Sequence, residues 1–119
     1  MGSIRSYRDL EAWQAAMAVA EHCYHVTKAF PQSEQYGLTA QMRRAAVSVA
    51  SNIAEGHQRT RAGYLNYVQI ALGSLAEVET QLELALRLKF LNADDAKSTQ
   101  HAIARTGQLL HGLLRSLRS

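Results

Sequence analysis

The sequence predicts an all-α fold, an antiparallel up-down-up-down four-helix bundle, and three observations carry that prediction. The 119-residue chain holds one proline and seven glycines, too few breaks for a series of short strands. Apolar residues recur at steps of three and four in four separate segments. The segments are joined by short connections, which make sequential helices antiparallel neighbours. The length fits one domain over residues 1–119, and a hydrophobic content of 47 % against 19 % charged supplies enough apolar material for a packed core.

The first helix is expected over residues 9–29. Leu10, Trp13, Met17, Ala20, Tyr24 and Thr27 form its stripe, Asp9 stands where an N-cap would, and Phe30-Pro31 ends it because a residue before proline is pushed out of the α region. A connector over 31–37 leads to a second helix over 38–56, with Gly56 placed as its C-terminal cap. Thr60 starts a third helix over 60–90, whose seam is Tyr64, Val68, Ala71, Leu75, Val78, Leu82 and Ala85, and whose length is roughly 45 Å. Asn92 or Asp94 starts a fourth over 93–117, with Ala96, Ile103, Leu110, Leu114 and Leu117 facing inward. Leu75, Leu82, Val49, Ile53, Trp13 and Ile103 are expected in the core.

The second helix is apolar over more of its girth than one bundle uses. Leu38, Met42, Ala45, Ala46, Val49 and Ile53 share one face, and Ala40, Val47, Ala50 and Ala54 make a second face of small residues. A helix of that kind packs on two sides, so self-association is expected, as a closed homo-oligomer; the alternative is a mildly exposed alanine face. Its remaining stripe is polar: Gln41, Arg44, Ser48, Asn52, Glu55 and Arg59. Two readings stay open for it. One is a hydrogen-bond network fixing helix register, with partners such as Ser74 or Glu77 on the third helix. The other is a groove for a ligand or nucleic acid lined by Arg43, Arg44, Arg59 and Arg61.

Composition narrows the function classes. The net charge is +3, from 13 Lys and Arg against 10 Asp and Glu, which permits contact with RNA or DNA without requiring it. A single cysteine, Cys23, excludes an internal disulfide and suits a reducing cytoplasm. No apolar run is long enough for a membrane span, and the charged start (Arg5, Arg8, Asp9, Glu11) leaves no signal core. The opening Met-Gly-Ser-Ile-Arg-Ser does fit a short acylation pattern at Gly2, of a kind that arises often by chance. His22 and His25, beside Cys23, have chelating spacing but lack a second pair, and no Glu-x-x-His motif supports a di-metal centre. Glu83 and Arg87 read as a surface pair. With no phosphate-binding glycine loop and no nucleophile motif, the expectation is a non-enzyme without cofactor or metal.

Three stretches resemble a known family: Arg8-Asp-Leu-Glu-Ala-Trp-Gln, Phe30-Pro-Gln-Ser-Glu-Gln-Tyr-Gly-Leu-Thr-Ala-Gln, and Arg43-Arg-Ala-Ala-Val-Ser-Val-Ala-Ser-Asn-Ile-Ala-Glu-Gly; Ile70-Ala-Leu-Gly-Ser-Leu-Ala-Glu extends the likeness. They are similar to the bacterial four-helix bundle proteins encoded in intervening sequences of large-subunit (23S) ribosomal RNA genes. The resemblance implies a bacterial cytoplasmic protein forming a ring, a cyclic pentamer. It also implies similarity to accessory proteins of diversity-generating retroelements, which bind nucleic acid and a protein partner, a reverse transcriptase. It carries over no catalytic residue. Arg43, Arg44, Asn52, Glu55 and Arg59 match its polar signature positions. Two departures stand out: Ala50 replaces a proline often found there, and Lys89-Phe90 replaces a common Gly-Tyr.

Overall fold

A computed structural model describes residues 5–119, so Gly2 of the acylation pattern lies outside the described residues. Four helices follow one another, α1 (Glu11–Thr27), α2 (Leu38–His57), α3 (Arg61–Arg87) and α4 (Ala93–Arg118), with short 3-10 turns at Tyr7–Asp9 and Gln32–Glu34. No strand occurs among the described residues. Each helix packs on its chain neighbours and α1 closes against α4, while the diagonal pairs lie farther apart. That is the antiparallel bundle expected, 43 Å long.

The helix ends follow local chemistry. Thr60 accepts a hydrogen bond from the Gly63 N–H at 3.3 Å to start α3, and Asn92 Oδ1 accepts from the Asp95 N–H at 2.8 Å to start α4. Asp9 does not cap α1. Its carboxylate accepts from the Arg5 and Ser6 N–H groups and, with Ser6, closes a capping box on the preceding 3-10 turn, so α1 begins after Leu10 without a side-chain cap. At the end of α3, Lys89 takes the left-handed conformation (φ 62°). The Lys89 N–H then reaches the Leu86 carbonyl and the Phe90 N–H the Ala85 carbonyl, a Schellman closure with lysine where glycine is the unstrained choice. Phe90 meets Phe30 at 5.6 Å between ring centres, pinning this corner to the end of α1.

Gly56 has a role other than the expected cap. It is buried within α2, which runs on to His57, and it has no positive φ. A Cβ on Gly56 would lie 2.7 Å from Tyr67 Cβ and 3.1 Å from Tyr64 Cδ1, so glycine is there to let α2 and α3 approach. Ala45, Ser48 and Asn52 precede it on the same side of α2, a seam of small residues against α3.

The core contains Val49, Ile53, Leu75, Leu82 and Ile103 as expected. Every residue of the α3 seam is buried except Tyr64, which is half-buried, and the α4 stripe is buried except Leu117. The first helix is rotated from the expected setting. It buries Ala12, Ala16, Val19, Ala20, Cys23, Val26 and Thr27, while Trp13 is half-buried and Met17 and Tyr24 are exposed. A face of alanines lets α1 sit close to the bundle, and its bulkier residues are left farther out, Tyr24 beside Arg43 of α2. Ala50, assigned to the second apolar face of α2, belongs to the core at 4 % exposure.

Candidate functional site

The outer face of α2 and the residues bordering it carry exposed apolar surface, as do Ile70, Leu84 and Leu88 of α3 and its end. Ala40, Val47 and Ala54 recur every seven residues, and Val47 is 44 % exposed. Tyr36 from the connector is 90 % exposed and Tyr24 of α1 is 45 % exposed. The fold brings these tyrosines to the arginines of α2, lining a hollow of about 570 Å³ with Tyr24, Tyr36, Ala40, Arg43, Arg44 and Val47. Sequence reasoning missed this grouping because its members come from three elements, and only the two exposed aromatic rings mark it.

The four candidate arginines have different fates. The guanidinium of Arg43 lies over the Tyr24 ring at 4.5 Å and donates from Nε to Thr27 Oγ1 at 2.8 Å, tying α2 to the end of α1. Arg59 is 3.5 Å from Glu55 and 5.5 Å from the Tyr67 ring centre. Arg61 donates to the carbonyls of Leu117, Ser116 and Ser119 at 3.0, 2.8 and 2.9 Å, closing the C-terminus of α4, where unpaired carbonyls and the negative end of the helix dipole favour a cation. Arg44 is exposed and has no hydrogen-bond or ion-pair partner among the described residues. Three of the four are therefore engaged within the protomer, each still exposed or partly exposed at its outer edge.

The signature polar stripe lies along the α2–α3 seam. Asn52 Nδ2 donates to the Ser48 carbonyl at 2.8 Å and to Ser48 Oγ at 2.9 Å, and the Ser48 and Ser74 hydroxyls are 2.8 Å apart. Glu55 turns to Arg59 rather than to α3. Gln41 is exposed at the rim of a cleft of about 340 Å³ shared with Arg44, Ser48, Ser74, Glu77 and Gln81. At the α2–α3 corner, His57 and Tyr64 meet edge to face at 5.7 Å. His57 Nδ1 and the Tyr64 hydroxyl are buried without partners, and burial pushes the Tyr64 phenol above its ordinary pKa.

Other candidate chemistry does not gather. Cys23 is buried, and burial pushes its thiol up to about 12. Among the described residues no three of His, Cys, Asp and Glu converge in a way that could hold a metal ion. Glu83 and Arg87 form the expected surface pair at 3.0 Å. Among the described residues no helix is long and apolar enough to cross a membrane. Charge is uneven along the bundle: Arg8, Arg59, Arg61, Arg115 and Arg118 sit at the end where α2 and α4 finish, with Asp9 and Glu55 as acidic neighbours.

Comparison with known proteins gives a family and a fold. A family model described as 23S rRNA-intervening sequence protein matches residues 8–112. A crystal structure of a protein of unknown function from the S23 ribosomal protein family of Bacteroides thetaiotaomicron VPI-5482 superposes with a TM-score of 0.80 at 23 % identity, over 87 % of this chain and 95 % of that one. None of the curated proteins compared matches the chain.

Proposed function

The chain belongs to the 23S rRNA-intervening sequence protein family, and from that premise we propose that it is a non-enzymatic, self-assembling helical module. The observation that carries this reading is the outer face of α2, where Val47 stands 44 % exposed between Ala40 and Ala54, and Tyr36 and Tyr24 border it. Covering that face with a second copy removes apolar area from water, and its alanines permit close helix approach. A face that repeats into a ring gives a closed homo-oligomer; the resemblance to ring-forming relatives makes five copies the number to test. The proposed setting is the cytoplasm, where a single thiol stays reduced. Light scattering tests the reading. The parent is expected at a multiple of 13.2 kDa, about 66 kDa for a pentamer, and Val47→Glu at a lower mass with unchanged helicity. A parent that runs as a monomer at micromolar concentration refutes the proposal.

A second reading adds nucleic acid as partner, and the grouping of Arg8, Arg59, Arg115 and Arg118 at one end of the bundle favours it. Repeated around a ring, weak phosphate contacts add through avidity and need read no sequence. Arg61 is a poor residue to remove, because it closes α4. The test is Arg59→Ala with Arg115→Ala and Arg118→Ala, in fluorescence anisotropy against structured RNA and duplex DNA at several salt concentrations. Affinity and its salt slope are expected to fall together. If the parent binds neither nucleic acid at low salt, the assembly is a protein-interaction scaffold.

A further inference from the structure

We propose that the cleft between α2 and α3 is a binding site for a small zwitterion of the free α-amino-acid class. The reasoning starts from its unmet hydrogen-bonding capacity. Ser48 Oγ accepts from Asn52 Nδ2, and the Ser48 and Ser74 hydroxyls share one hydrogen bond. Two hydroxyl groups bring two protons, and their mutual bond uses one. Whichever serine donates, the other keeps a proton with no acceptor among the described residues. Ser74 is itself 7 % exposed, so this donor pair sits at the floor of the cleft rather than on open surface. Gln81 lines the same cleft, and its Oε1 is turned inward, buried without a donor. An unmatched donor and an unmatched acceptor on residues of one cleft are costly, and a ligand offering the complementary pair relieves both once the Gln81 side chain turns outward.

The charges at the mouth select the ligand class. Arg44 and Glu77 both line the cleft, and no ion pair within the four described joins them to each other or to any other residue. One guanidinium and one carboxylate make a site of zero net charge with separated poles. A simple anion meets Glu77 as a repulsive neighbour, and a simple cation meets Arg44; a molecule with both charges satisfies each. Ala45 is the one apolar side chain of the lining, so the site offers little to a large hydrophobic group. A volume of about 340 Å³ leaves room for an amino acid with a polar side chain of the size of glutamine. The carboxylate would lie on Arg44 and the spare serine proton, and the ammonium on Glu77, with Gln81 Oε1 turning outward to meet it. The inference does not depend on self-assembly or on nucleic-acid binding.

The experiment is a titration of the isotopically labelled full chain with L-glutamine, followed by amide-resolved NMR up to on the order of 10 mM, a range suited to an open polar site. Saturable shifts are expected at Ala45, Ser48, Ser74 and the side-chain amide of Gln81. Acetate and ethylammonium, each carrying one of the two charges, are expected to bind about tenfold more weakly or worse. Arg44→Ala and Glu77→Ala are surface changes that leave the core intact, and each is expected to weaken L-glutamine by about tenfold or more. Absence of saturable shifts overturns the proposal. So does acetate binding as well as L-glutamine, which would make the cleft a plain anion patch. So does an altered oligomer mass in Arg44→Ala or Glu77→Ala with a silent titration, which would mean that a second copy covers the cleft.

Discussion

Gly56 and Gly73 both lie inside helices, so on backbone grounds alone alanine should stabilise the protein at either position by about 0.5–1 kcal/mol. The structure gives the two sites opposite signs. A Cβ on Gly73 meets nothing within 4 Å and points to solvent, so Gly73→Ala keeps the full propensity gain. A Cβ on Gly56 falls 2.7 Å from Tyr67 Cβ, an atom fixed to the backbone of α3 that no rotamer change can move away. Carbon atoms rest at roughly 3.5–4.0 Å, so α2 and α3 must part locally by about 1 Å. Overpacking of that size costs about 1–3 kcal/mol. The same shift threatens the hydrogen bond of 2.8 Å between Ser48 and Ser74, two turns along the seam. The propensity gain roughly offsets the weakening of that bond, so the net expectation for Gly56→Ala is a loss of about 1–3 kcal/mol. Urea unfolding followed by circular dichroism, at one fixed protein concentration because assembly couples to stability, measures both variants. Gly56→Ala as stable as the parent would refute the close-approach account, and a destabilised Gly73→Ala would refute the premise that its surroundings are open.

Three more outcomes are expected. Lys89→Gly should stabilise by about 1 kcal/mol in the same assay, because lysine holds a left-handed φ of 62° that glycine adopts without strain. Thr99→Val should be neutral or stabilising by about 1 kcal/mol, since the fully buried Thr99 hydroxyl has no partner, whereas Thr106→Val removes a 2.7 Å bond to the Ala102 carbonyl and should cost about as much. Cys23 should resist thiol reagents in the folded protein and react on unfolding. Its folded pKa is raised, so the unfolded chain loses this proton first; its contribution to stability is complete below pH 9 and declines as pH climbs toward about 12, which Cys23→Ala should abolish in a pH series of urea midpoints.

The helices were legible because a three-four period survives any choice of neighbour, and the seam from Val68 to Ala85 needed no other information. Period alone does not say which apolar face is core. On α1 the larger residues Trp13, Met17 and Tyr24 drew the axis of the stripe toward themselves, while the structure buries the alanine side, where the close packing is. Gly56 shows the same limit: glycine after a helical run looks like a stop signal, and its contact partner lies in another helix. Of the polar stripe, proximity to α3 could be anticipated for Ser48, since Ser74 is exposed to it by the hairpin register, but the turning of Glu55 to Arg59 is a local i,i+4 choice that competes equally well. The hollow with Tyr24, Tyr36 and Arg43 depends on how the connector folds back, which no periodicity encodes.

The small-residue seam between α2 and α3 also sets the order in which the molecule comes apart. These two helices share the most extensive contact in the bundle and are joined by only the short turn after His57. Such a hairpin closes at little loop entropy and holds its backbone amides away from solvent, so it should behave as the last cooperative unit to open under native conditions. Exchange of amide hydrogens for deuterium would then be slowest at Val49, Ile53, Ala71 and Val78, all fully buried, and fastest at the uncapped start of α1. The first helix would leave the bundle while the second and third remain paired, and fluctuations of the native protein would part the α2–α3 seam last of all.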